Sequence, residues 1–333
     1  MSPDLGAPVA GGTIGAPTTR ADWLTWRRGG IGASDIAAIT NASPWGSRWS
    51  VWVDKVGLAP LDDDDPSDVM QLGLDLEPVI VAWFERRHRG LHVMARQYRA
   101  THPDHDWALA TLDGLIVEEG SDDVDAAVAV FESKYDAGSR WDEIPEHYRL
   151  QVQWQLAVTG LDAAFLAVMH MAFGRPLFEV YEVARDQVLI DRLLAEGERF
   201  WMDHIVTGEP PFVDAHPATG RALAEAWRGR VTTECVAFDE LDWFLEELRD
   251  LRRERDRVER AIVHHENVIK GTLRRCSEGT IAGQTVVSWR SQRAPLLLDA
   301  RAVRADHGDK YDKRGDDIRV LRLHTPRAIR RTA

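Results

Sequence analysis

Residues 108–134 read ALATLDGLIVEEGSDDVDAAVAVFESK. Ala108–Val117 and Ala126–Lys134 are short, largely apolar runs that read as strands. Glu118–Val124 between them is a polar turn containing Gly120, so the two runs form a hairpin. Asp113 then ends one strand and Glu132 sits on its partner. Residues two apart share a strand face, so Glu132 and Lys134 point the same way. Two carboxylates and an ammonium on one sheet face would cost about several kcal/mol to bury unpaired. A divalent cation resolves that conflict, because carboxylates are hard oxygen donors suited to magnesium or manganese. Such an ion lowers the pKa of a bound water and stabilises charge on a phosphoryl oxygen, with Lys134 placed to orient that water or help deprotonate it.

Working outward, Val69–Arg89 carries Leu72, Leu76, Val79, Ile80, Trp83 and Phe84 at helical spacing, and Glu77 lies within it. Glu146–Thr159 is a second helix and holds Gln151. Polar residues on the apolar faces of both helices can converge on one sheet edge. Further strands are expected at His92–Arg99, Ala163–Met171 and Leu177–Val183, with an amphipathic helix over Asp186–Val206. Upstream, Ala21–Arg28 reads as a helix, followed by the Gly29-Gly30-Ile31-Gly32 break. Ala33-Ser34-Asp35 caps the next helix, Ile36–Thr40, and a further helix spans Ser50–Val56 before Gly57. Trp45, Trp49 and Trp52 read as packing of this helical lobe, with base stacking as the alternative. His102, His105 and His147 follow no metal-binding spacing and read as surface histidines.

The chain has 333 residues, 44% of them hydrophobic and 29% charged, enough to build a core. No apolar run approaches the length of a membrane span, and the first residues lack a secretory pattern. Cys235 and Cys276 are too few for a disulfide framework, a four-cysteine zinc site or a cysteine-held iron–sulfur cluster. These features place the protein in the cytoplasm. A net charge of −13 argues against nonspecific coating of nucleic acid, though not against a local grip.

Residues 1–18 are rich in Gly, Ala, Pro and Thr and are expected to form a flexible arm, with structure beginning near Thr19. The acidic stretch 60–68 reads as a solvated linker. Residues 19–213 form the expected main domain and 214–333 an extension. The extension opens with a charged helix over about 238–275 that bears a broken near-heptad apolar stripe. Strands are expected at Thr280–Arg290 and Asp317–His324. From Arg290 onward twelve Lys/Arg face six Asp, making this basic tail a candidate for DNA contact.

Four stretches in this order carry a resemblance. They are Trp23-x-x-x-Arg27-x-Gly29-x-Ile31-x-Ala33-Ser34-Asp35, Gly73-x-x-x-Glu77, Asp113-Gly114 followed by Glu132-x-Lys134, and Gln151-Val152-Gln153-Trp154. Over residues 20–210 the chain resembles the YqaJ-like viral recombinases, the lambda-exonuclease-like branch of the PD-(D/E)XK nuclease superfamily. The resemblance implies an α/β fold, with a mixed central sheet flanked by helices. It implies a magnesium- or manganese-dependent deoxyribonuclease with two ions per site, digesting linear duplex DNA 5′→3′ to leave 3′ single strands. Asp113, Glu132 and the Ser133 carbonyl would be metal ligands, and Glu77 would reach the metal directly or through water. Lys134 would be the catalytic lysine and Gln151 would position water or the scissile phosphate. Arg27, with Arg28 as a neighbouring candidate and Ser34 as a further donor, would hold a terminal 5′-phosphate, helped by N–H groups at a helix start. Implied partners are duplex DNA ends, a single-strand annealing recombinase of phage or prophage type, and further copies of the chain in a ring. An endonuclease or flap nuclease of the same superfamily, and a non-catalytic DNA-end-binding adaptor, are the alternatives. The separation of Asp113 and Glu132 exceeds that of the lambda enzyme and implies a longer hairpin arm.

Overall fold

The computed structural model describes residues 13–15, 19–59, 68–94, 98–138, 140–172, 174–228, 232, 235–292, 300–308 and 310. Residues 60–67 of the acidic linker, the expected strand Asp317–His324 and most of the basic tail lie outside them. The chain divides into two compact units, residues 1–230 and 231–333.

The first unit opens with the short strand β1 (Thr13–Gly15), followed by helices α1 (Arg20–Arg28), α2 (Ala33–Ile39), α3 (Arg48–Lys55) and α4 (Asp68–Arg87). Then come β2 (Leu91–Met94), β3 (Tyr98–Thr101), β4 (Leu109–Leu112), β5 (Gly114–Glu118) and β6 (Ala129–Asp136). Helix α5 (Glu146–Thr159), strands β7 (Ala163–Ala172) and β8 (Arg175–Ala184), and helices α6 (Gln187–Phe200) and α7 (Pro217–Ala226) complete it. A π-helical turn over Trp201–Val206 prolongs α6, so the expected helix Asp186–Val206 changes hydrogen-bond pitch near its end.

Five strands form a mixed sheet in the order β2-β5-β6-β7-β8. Only the β6–β7 pair is parallel, and α5 is the crossover that joins its two strands. This is the mixed, helix-flanked α/β architecture expected from the sequence. Strands β1, β3 and β4 form a second, antiparallel sheet.

Three expectations change here. The run Ala108–Val117 is not one strand, because it breaks at Asp113 and its halves enter different sheets. His92–Arg99 splits in the same way between β2 and β3. Within the expected flexible arm, Thr13–Gly15 pairs with Arg99–Thr101, whose outer edge would otherwise lack a backbone partner.

Local chemistry explains the helix limits. Thr19 caps α1 through Asp22 N, Ser47 and Ser50 cap α3 reciprocally, and Asp186 caps α6 through Leu189 N. Helix α5 ends at Gly160 with φ 75°, a left-handed conformation that glycine adopts without a Cβ penalty. Phe84 and Ile80 of α4 pack against Phe131, Ile116, Phe165 and Ala167 of the sheet. On the opposite side, Trp154 of α5 is fully buried and donates to Leu109 O at 2.9 Å, tying the helix to β4.

Gly30 fixes how α1 approaches this core. Ile31 N donates to Trp107 O at 2.7 Å, and Leu109 N donates to Ile31 O at 2.9 Å. A Cβ on Gly30 would lie 2.5 Å from the Trp107 carbonyl oxygen, so only glycine allows this close pairing.

The boundary expected after residue 213 moves to 230. Helix α7 buries Ala218, Thr219, Ala222 and Ala226, and Thr219 Oγ1 donates to Ser47 Oγ at 2.8 Å. That packing makes α7 part of the first unit. In the second unit, a 3₁₀ turn leads into α8 (Asp242–Leu273), within the expected charged-helix region. The expected strand Thr280–Arg290 is instead a hairpin of β9 (Glu278–Ile281) and β10 (Gln284–Ser288). Its turn at Ala282-Gly283 has φ 49° and 79°, the left-handed pair of a two-residue hairpin loop. Helix α9 (Ala300–His307) follows.

Candidate active site

Asp113 occupies the step between β4 and β5, where the backbone leaves one sheet for the other. Its Oδ2 accepts from Ser133 N at 2.9 Å and from Ser133 Oγ at 3.0 Å. These bonds dock Asp113 onto β6 beside Glu132, the neighbour expected from the hairpin. They explain why the strand breaks at this residue: its carboxylate substitutes for ladder pairing.

Glu132 is 2% exposed and lies under α5. Its Oε1 accepts from Lys134 Nζ at 2.5 Å and from Gln151 Nε2 at 2.6 Å. Its Oε2 accepts from Gln155 Nε2 at 2.6 Å. Four of the residues expected from the sequence, Asp113, Glu132, Lys134 and Gln151, therefore converge, with Ser133 binding Asp113.

Gln155 is the residue that sequence reasoning missed. It is fully buried one helical turn beyond Gln151 and also donates to Thr111 O at 3.3 Å. Tyr148, Gln151 and Gln155 stand at i, i+3 and i+7 on α5 and share a face. The signal was available, because a glutamine at that spacing on an otherwise apolar helix face needs a polar partner.

Electrostatics binds the cluster together. Burial, then the Asp113 carboxylate, raises Glu132 above the usual carboxylate range, against the pull of Lys134. Burial would lower Lys134, but Glu132 and Asp113 outweigh it and hold the ammonium charged well above its ordinary range. Glu77 on α4 is raised to about 7 by burial and by the charges of Asp113 and Glu132. The charges of Asp113 and Glu132 are thus felt at Glu77, after the effect of its burial. Among the described residues, no group of three or more His, Cys, Asp or Glu closes to a ready metal cage. The reason lies in the bonds just described: Glu132 is ringed by side-chain donors, and Lys134 supplies the positive charge.

The expected phosphate-binding residues line a second feature, a cleft of about 450 Å³ bordered by Arg27, Arg28, Ser34, Asp35, Trp45 and Asp54. Arg27 is 37% exposed, with its guanidinium 3.6 Å from Asp35 and 5.5 Å from the Trp23 ring. Arg28 is turned to the cleft wall, where Nη2 meets Asp54 Oδ1 at 3.2 Å and Ala59 O at 3.1 Å. The two arginines therefore have different surroundings. The expected phosphate site at the helix start is changed as well. Helix α2 begins at Ala33, and Asp35 Oδ2 itself accepts from Gly32 N at 2.9 Å.

Burial opposes ionisation of Asp35, but Lys55 and Arg27 overcome it and hold its pKa below the usual value. Lys55, also missed in the sequence, is buried at 2.8 Å from Asp35 Oδ2 and donates to Arg27 O at 2.9 Å. It fixes the backbone that presents Arg27.

Residues 22–162 match the family model of the YqaJ-like viral recombinase domain. The uncharacterized protein YqaJ of Bacillus subtilis (strain 168) is 32% identical over 216 residues, spanning 63% of this chain and 64% of that protein. Among solved structures, an alkaline exonuclease (LHK-Exo) from Laribacter hongkongensis is 19% identical. It aligns with 57% of this chain and 94% of its own, at a TM-score of 0.43. A phage related exonuclease from Haemophilus somnus 129PT is 16% identical, with 58% and 91% covered and a TM-score of 0.35. The matched segment contains every one of the site residues named from the sequence, from Arg27 to Gln151. Residues 22–162 of this chain are thus similar to the YqaJ-like viral recombinase domain.

Proposed function

We propose that the chain is a metal-dependent deoxyribonuclease that digests linear duplex DNA from its ends, 5′→3′, and leaves 3′ single strands for recombination. The observation that carries this reading is the convergence of Asp113, Glu132, Lys134 and Gln151 inside a YqaJ-like recombinase domain.

The donor set fits a divalent cation. Burial first, and then the charges of Asp113 and Glu132, push Glu77 to about 7, so a third carboxylate lies within the field of the other two. Hard oxygen donors with surplus negative charge suit magnesium or manganese, with the Ser133 carbonyl as a further ligand and two ions per site. The ion supplies positive charge at the scissile phosphate and makes water a stronger acid.

The chain's own residues do the rest. Lys134 exchanges Glu132 for substrate, holding its Nζ protons toward a phosphate oxygen or the attacking water. Gln151, released from Glu132 Oε1, orients the same water through its amide. Gln155 keeps Glu132 Oε2 fixed while these neighbours move. Arg27 grips the terminal 5′-phosphate by charge-assisted hydrogen bonds, and the Ser34 hydroxyl adds a donor. Arg28 braces the cleft wall through Asp54.

Duplex DNA ends are the substrate in this reading. A single-strand annealing recombinase and further copies of the chain in a ring are its proposed partners, in the cytoplasm of a bacterial host. No helix among the described residues is long and apolar enough to cross a membrane.

The test is digestion of a linear duplex phosphorylated at one 5′ end only, beside a closed circle, with magnesium, with EDTA and with Lys134→Ala. Magnesium-dependent loss from the phosphorylated end, absent in the variant and on the circle, is the expected result. Nicking of the circle would replace the exonuclease with an endonuclease, and no cleavage with any divalent metal would leave an end-binding adaptor.

A further inference from the structure

The three tryptophans around α3 part company in the structure. Trp49 and Trp52 are each 5% exposed and pack edge to face against one another, as the sequence suggested. Trp45 is 63% exposed, on the turn between α2 and α3. Its main chain is anchored, with Trp45 N donating to Ser43 Oγ at 3.2 Å and Trp45 O accepting from Arg221 at 3.3 Å. The segment is held while the indole stays open to solvent.

The indole is not isolated. It meets the His147 ring edge-on at 4.9 Å and the Tyr148 ring at 6.2 Å. Tyr148 stacks on Trp141 at 5.2 Å, and Trp141 stacks on Tyr181 at 5.8 Å. Lys134 Nζ lies 5.3 Å from the Tyr148 ring centroid. A row of rings therefore runs from the Arg27 cleft, which Trp45 lines, past the catalytic lysine. Cations that hold a phosphodiester backbone stand at both places, and aromatic faces lie along the row. Charge along the backbone with rings for the bases is the general pattern of single-strand recognition. A simple core role does not explain an indole this exposed, because an aromatic ring gains by burying its faces.

We propose that Trp45 receives the unpaired base of the terminal nucleotide of a DNA end by stacking, with the mutually stacked Tyr148, Trp141 and Tyr181 rings bracing it on the side of Lys134. The inference rests on the nuclease reading and deepens it. Stacking on a ring requires no particular base, since every base has a π face. Trp45 thus recognises an unstacked nucleobase and not a sequence.

The test compares 5′-phosphorylated duplex ends whose terminal nucleotide carries a base or is an abasic tetrahydrofuran. Two quantities are measured for the wild type, Trp45→Ala and Trp45→Phe. One is the ratio of kcat/KM between the two ends. The other is the ratio of their dissociation constants, read by fluorescence anisotropy of labelled DNA in EDTA. The wild type should favour the base-bearing end by about tenfold in both. Trp45→Ala should bring both ratios close to one, and Trp45→Phe should keep most of the preference. Since each variant serves as its own reference across the two ends, a general loss of folding cannot imitate this pattern. Equal treatment of the two ends by the wild type, or a preference that survives in Trp45→Ala, would overturn the stacking role. If the wild type cleaves neither end under any divalent metal, the nuclease reading fails by itself, and the anisotropy ratios still decide for or against stacking.

Discussion

At the residue scale, the central fact is that one carboxylate, Glu132, answers to three donors on two elements. Removing Lys134 leaves Glu132 buried with only neutral amide partners. Lys134→Ala should therefore destabilise the chelated protein at pH 8 by about 3–5 kcal/mol. Magnesium should then raise the melting temperature of the variant more than that of the wild type. Equal shifts in differential scanning calorimetry would contradict the role of the ammonium as counter-charge. Glu77 gives a second prediction, with a definite sign. Its pKa is raised from 4.5 to about 7 in the folded chain. Its protonated form is thus favoured by folding, and that contribution is fully present below pH 4.5 and lost as pH rises through 7. In EDTA, Glu77→Gln should be more stable than the wild type at pH 8, by about 1 kcal/mol after solvent screening, and the gap should close toward pH 5. Chemical denaturation at the two pH values measures it. Asp113, Glu132, Lys134 and Gln151 were legible in the sequence because four stretches in order resemble the YqaJ-like family, while the strand pattern by itself placed only Glu132 and Lys134 on one face. Gln155 was readable from its spacing beyond Gln151 but was missed, and Lys55 was not readable, because its partners Asp35 and Arg27 meet it only on folding.

At the element scale, α5 does most of the positioning. It crosses from β6 to β7, so it covers β6 at the point where Glu132 and Lys134 emerge. Its limits match the expected Glu146–Thr159 to the residue, with Pro145 before it and Gly160 after it. The break at Asp113 was not readable. Ala108–Val117 is apolar on both sides of Asp113-Gly114, and that composition does not say that two sheets share the run. Periodicity reports which face a residue takes and says nothing about which strand lies beside it. Packing between α4 and the sheet supplies the rigidity behind the site. Phe84→Ala should cost about 3–5 kcal/mol in urea denaturation, since Phe84 is fully buried among Phe131, Phe165 and Ile80. Gly30→Ala should cost about 1–3 kcal/mol by forcing α1 away from Trp107. A melting temperature unchanged by that substitution would show that the approach is not tight.

At the scale of the whole molecule, charge and architecture are divided between two units. The resemblance implied the α/β class, and the change in sequence character suggested an extension, with the junction put at a Pro-rich stretch near residue 213. The packing of α7 decides otherwise, and tertiary contacts of this kind leave little trace in local sequence. A chain ending at residue 230 should keep the cooperative melting transition of the first unit, whereas one ending at 213 should lose stability because Thr219 and three buried alanines leave with it. Circular dichroism melts of the two truncations measure this.

The ion pair between Lys134 and Glu132 also bears on how the protein can be handled. A site that carries its own counter-charge does not depend on an inorganic ion to hold its walls together. Dialysis against a chelator should silence the protein without unfolding it, and returning the salt should wake it in the time of mixing, with no refolding lag. Under the proposed activity, the protein can then be stored idle beside DNA and started at a chosen moment.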